Sequence, residues 1–167
     1  MTKRILALAG MAVMLAFGGE VQAATQSATA SATIVTAVSI ANTGSTPLAF
    51  GTIAPGATAG TVVVIPAGTR SGTGGVSLVN SGTVSAAPFA ITGTSGLACN
   101  ITMPTSISIA SGIYSMTVDT FTNSLGATTV TLAGDGASFT VGGTLHVGAD
   151  QASGSYTGTF NVSVAYN

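Results

Sequence analysis

The segment Gly154-Ser155-Tyr156-Thr157-Gly158-Thr159-Phe160-Asn161-Val162-Ser163-Val164-Ala165-Tyr166-Asn167 alternates apolar and polar side chains. From Tyr156 its even positions are Tyr156, Gly158, Phe160, Val162, Val164 and Tyr166. The odd positions are Ser155, Thr157, Thr159, Asn161, Ser163 and Ala165. Successive side chains of a strand point to opposite faces, so a strict period of two predicts a strand over Ser155–Tyr166 with one face in a core. Phe160, Val162 and Val164 are expected to face that core, with Tyr166 closing it.

The same pattern recurs upstream in short runs separated by Gly, Pro, Asn and Ser. It predicts strands near Leu48–Ile53, Thr61–Ile65, Gly75–Val79, Pro88–Thr92, Leu97–Met103, Ser106–Ala110, Tyr114–Phe121, Thr128–Leu132 and Ala137–Val147. Gly142 and Gly143 interrupt the last run without changing its parity, which marks a bulge or bend. No stretch has the period of a long amphipathic helix. Many short, turn-punctuated strands point to an all-β fold, an Ig-like antiparallel β-sandwich, with a jelly roll or open barrel as the alternative.

The N-terminal end differs in kind. Lys3 and Arg4 precede an apolar run from Ile5 to Phe17, and Val21-Gln22-Ala23 has small residues where a signal peptidase reads. Residues 1–23 are therefore expected to be a cleaved secretory signal peptide, too short to span a membrane. Residues 24–46 follow as a nearly low-complexity Ala/Thr/Ser arm and hinge, and residues 47–167 form the sandwich domain. The arm's even positions are Ala28, Ala30, Ala32, Ile34, Thr36, Val38 and Ile40. It is an extended, β-prone segment, and it either supplies the first strand of its own sandwich or pairs with a neighbouring subunit.

Composition narrows the chemistry. Beyond residue 23 the charged residues are Arg70, Asp119, Asp135 and Asp150, with His146 the sole histidine and Cys99 the sole cysteine. Ser and Thr make up 44 of those 144 residues, so hydroxyls must supply most of the polar surface. No basic patch exists, and nucleic acid is not an expected partner. So little charge gives little repulsion between copies and favours association. Cys99 falls on the apolar face of Leu97–Met103 and is expected to be a buried, inert thiol. His146 falls on the polar face of its strand, the aspartates are scattered, and no close set of oxygen ligands suggests a calcium loop. Gly72-Thr73-Gly74-Gly75 lacks the lysine and strand–helix context of a phosphate loop. Neither catalysis nor a cofactor or metal is expected.

Pro47–Ile53, Val62–Thr69, Phe89–Gly93, Ile101–Pro104 and Val141–Val147, followed by the closing segment, resemble in that order a secreted bacterial family catalogued as domain of unknown function 4402. The resemblance covers roughly residues 30–167. It implies export and a β-rich fold and carries no catalytic residues. More loosely, the glycine at 154 and the penultimate Tyr166 are similar to the last strand of chaperone–usher pilins and spore-coat-U-like domains. Those pilins carry a cysteine pair, whereas this chain has Cys99 alone.

That likeness implies a pilin-like sandwich lacking a strand, which the next subunit's arm supplies. The expected function is a structural subunit of an extracellular or cell-surface filament, a head-to-tail homopolymer; a periplasmic chaperone and an outer-membrane usher are the assembly partners that the pilin likeness implies, and the sequence leaves their involvement open. The donated face would be Ala28, Ala30, Ala32, Ile34, Val38 and Ile40. The C-terminal core strand would comprise Gly154, Tyr156, Phe160, Val162, Val164 and Tyr166. The alternative is a monomeric secreted adhesin or carbohydrate-binding module, disfavoured by the absence of tryptophan.

Overall fold

The computed structural model describes residues 24–167 apart from residues 45 and 135. The expected signal peptide and Asp135 lie outside the described residues. The chain divides into two units after Thr33. Residues 24–33 are exposed throughout and carry no strand pairing.

The second unit is antiparallel β, with no helix among the described residues. Its strands are β1 (Ser39–Asn42), β2 (Ala49–Val64), β3 (Arg70–Ser85), β4 (Ala87–Thr92), β5 (Ala98–Thr102), β6 (Ser106–Ser111), β7 (Tyr114–Asn123), β8 (Thr129–Thr131), β9 (Ala137–Val147) and β10 (Ser163–Tyr166). One sheet runs β1-β4-β9-β2-β3, with β7 also on β9 and β6 on β7; the other runs β10-β5-β8. The sheets form a β-sandwich.

β9 organises the larger sheet. Ala137–Val141 pairs with β4, Gly143–Val147 pairs with β2, and β7 takes residues from Val141 to His146. The change of partner falls at Gly142, inside the glycine pair whose parity suggested a bend. A β-carbon on Gly142 would sit 2.8 Å from the Ile65 carbonyl carbon and 2.9 Å from the Pro66 nitrogen, and closer still to the Val64 carbonyl oxygen. Only glycine lets the end of β2 cross there.

Two apolar clusters fill the interior. In one, Phe89, Ile91, Phe139 and Val141 of the larger sheet meet Cys99 and Ile101 of the smaller, with Val164 and Tyr166 against them. The Cys99 thiol is fully buried, and burial pushes its pKa up, as the alternation of β5 required. In the other, Val62, Val118, Leu145 and Val147 are covered by Phe50, Ile53 and Val76. These covering residues belong to the same β2–β3 hairpin as Val62, so the hairpin folds back on itself.

That fold-back accounts for two differences from the sequence pattern. The runs Leu48–Ile53 and Thr61–Ile65 merge into one strand, β2, through Pro55. A register shift between Pro55 and Gly60 absorbs the residue that has no N–H to give. β3 likewise extends well beyond Gly75–Val79, because the long partner strand carries its pairing to Ser85.

Arg70 ties the folded hairpin together. Its Nη1 donates to the Phe50 carbonyl at 2.6 Å and the Thr52 carbonyl at 3.0 Å, and its Nη2 donates to the Val79 carbonyl. The sole cation beyond residue 23 thus cross-links backbone, a task suited to a planar fork of donors. Arg70→Ala should lower the unfolding free energy by about 1.5–3 kcal/mol, the value of hydrogen bonds to a charged group. Arg70→Lys should recover less than half, because one ammonium cannot reproduce the fork. Urea denaturation of the three proteins measures both effects.

Candidate functional site

An open groove of about 880 Å3 lies beside the second cluster. One rim is Pro47–Pro55 and the other is Gln151–Gly158; Ile109, Met116, Leu145 and Val147 line the space between. These four come from β6, β7 and β9, and they also belong to or pack on the apolar cluster around Val62. No lining residue carries a charge.

Both rims are short of strand partners. Residues 49–55 of β2 pair with β3, whereas β9 meets β2 only over Gly60–Val64. Across the groove, the segment from 151 to 162 has a single bridge, Thr157 to Ala110. This corrects the expected strand over Ser155–Tyr166: the ladder exists only over Ser163–Tyr166, where β5 runs alongside. Side-chain alternation persists upstream, but a ladder needs a neighbour, and Thr159–Val162 has none.

The C-terminal residues divide accordingly. Phe160, Val162, Val164 and Tyr166 pack against the first cluster. The Phe160 ring stacks on Phe121 at 5.1 Å and meets Phe89 edge-on at 6.1 Å. Tyr156 instead pins the groove rim: its hydroxyl donates to the Ala152 carbonyl at 2.7 Å and accepts from Gln151 Nε2 at 2.8 Å. Gly154 is exposed, and a β-carbon there would press on the Ser111 side chain.

The arm divides too. Ala28, Ala30 and Ala32 are exposed and outside any strand. Ile34 is 95% exposed and Val35 44%. Val38 and Ile40 sit elsewhere than on a donated face: they pack against the chain's own first cluster, and Ser39–Asn42 pairs with Phe89–Thr92. The reason is the free edge of β4, which β1 covers in cis. The boundary is Thr36. Tyr166 Oη donates to the Thr36 carbonyl at 2.8 Å and accepts from the Thr94 N–H at 2.7 Å. Thr36 N–H in turn donates to Thr94 Oγ1 at 2.9 Å. The penultimate tyrosine therefore fixes where the arm leaves the body.

Sequence reasoning missed the groove rim and the Thr36–Thr94 node. One signal was available for the rim. Apolar positions run 48, 50, then 53, and this break in parity coincides with Gly51 at φ 71° and the register shift there.

The structure also joins two residues read separately. His146 Nε2 lies 2.9 Å from Asp119 Oδ1 on the outer face, with side chains 48% and 33% exposed. The hydrogen bond from His146, then one from Thr120, hold the Asp119 carboxyl below the ordinary aspartate range against a small opposing desolvation. Thr120 takes φ 50° at the register shift in β7, a conformation a β-branched residue seldom adopts. Among the described residues no group of three metal-ligating side chains occurs.

No curated protein and no solved structure matches the chain. Residues 38–166 match the family described as Domain of unknown function (DUF4402), from the root of the arm through the last strand, and the chain belongs to that family.

Proposed function

We propose that this protein is an exported, pilin-like structural subunit of an extracellular filament, which polymerises by giving its N-terminal segment to a neighbouring copy. The observation that carries the reading is the arm. Upstream of Thr36 it is charge-free and β-prone, holds Ile34 almost fully in solvent, and leaves a body that anchors it only from Thr36 onward. A monomer gains nothing from displaying Ile34 and Val35, whereas burying an isoleucine in a partner stabilises by about 1.5–3 kcal/mol before ordering costs. Strand addition is an established recognition mode. A head-to-tail contact that does not close on itself extends as a fibre.

Deleting residues 24–35, leaving any export signal in place, should give a β-structured subunit by circular dichroism that forms no filaments under negative stain. Filaments from the truncated protein would overturn the proposal. An unaltered chain that stays monomeric at high concentration would favour the adhesin alternative.

A further inference from the structure

We infer that the groove between Pro47–Pro55 and Gln151–Gly158 is the acceptor for residues 24–35 of a second copy, with Ala28, Ala30, Ala32 and Ile34 facing the apolar floor. The inference rests on the strand-donating reading above and adds the site and the register. Three observations choose this occupant. The facing rims are backbone with few strand partners; the Phe50 and Thr52 carbonyls already accept from Arg70, and an inserted strand would gain hydrogen bonds from the rim groups that remain free. The floor and the arm's side chains are free of charge, so no buried side-chain ion is left unpaired, and the α-amino group that cleavage after Ala23 would create lies four residues before Ala28. The lengths are compatible: at ~3.3 Å per residue, the face from Ala28 to Ile34 spans about 20 Å, within the rim from Pro47 to Pro55 at about 26 Å. Ile34 is then the one large side chain to seat, over the floor that Ile109 and Met116 help to build. Val38 and Ile40 take no part, because β1 keeps them in cis.

Variants of the full chain with added cysteines test this. Ile34→Cys is mixed with Met116→Cys, and separately with Ile109→Cys in case the methionine variant does not fold; a short bifunctional thiol reagent is then added. Cys99 is buried and serves as the unreactive background. A covalent dimer should form in at least one mixture, and be lost when Thr33→Cys replaces Ile34→Cys, because the odd set faces away. Filaments without any dimer from either mixture would overturn the groove assignment and leave strand donation standing. Equal dimer from Thr33→Cys would overturn the register. A chain carrying Ile34→Cys and Met116→Cys together that yields only cross-linked monomer would show the arm in its own groove and overturn the intermolecular contact. Absence of any oligomer from the unaltered protein would remove the reading on which the inference rests.

Discussion

Phe160→Ala should lower the free energy of unfolding by about 3 kcal/mol, the lower end of the range for removing a core aromatic ring. The lower end applies because the ring is half-buried, packed on the first cluster and not sealed within it. Two aromatic contacts are lost with it, the stack on Phe121 and the edge-on approach to Phe89. Such pairs contribute about 0.5–1.5 kcal/mol beyond the area they bury. Thr159 is exposed one residue earlier, so Thr159→Ala should change stability by only about 0.5 kcal/mol. Urea midpoints for the two variants check the contrast, and equal losses would mean that the alternation of residues 156–166 does not govern their burial.

Gly142→Ala is expected to be more damaging still, with a loss of at least about 3 kcal/mol or failure to fold. Overpacking usually costs about 1–3 kcal/mol, because side chains can adjust. Here the obstacles are the backbone atoms of Val64, Ile65 and Pro66, which belong to a strand and its tight turn and cannot rotate aside. Gly143 is the internal control. A β-carbon there meets side-chain atoms of Leu48, Phe121 and Val118 at 3.4 Å, close to ordinary contact. Gly143→Ala should therefore lie within about 1 kcal/mol of the parent, since reduced freedom of the unfolded chain offsets mild crowding. Thermal melts of both variants measure the difference, and comparable losses would show that the crossing at Gly142 is not the constraint.

The two predictions separate kinds of information. The importance of Phe160 is legible in the chain, because alternation alone puts it on the apolar face. The inequality of Gly142 and Gly143 is not legible. Both are glycines in the middle of one strand, and they differ only in what lies next to them. The same holds for Arg70, whose partners at 50, 52 and 79 are brought to it by a hairpin that folds back between Pro55 and Gly60.

The class and the faces were legible in the chain. Period-two patterning set the all-β sandwich, the inward side of β4, β5 and β9, and the burial of Cys99, because side-chain direction in a strand is a local property of the backbone. Strand partnership came from the folded arrangement. β1 covers β4 in cis, so Val38 and Ile40 belong to the chain's own core while Ile34 is left in solvent. Residues 151–162 lack a ladder, although Tyr156, Phe160 and Val162 stay half-buried, and a groove opens between this segment and the first half of β2. Hydrogen-bond pairing between strands depends on which edges meet in space, and no local pattern encodes an edge that has no neighbour.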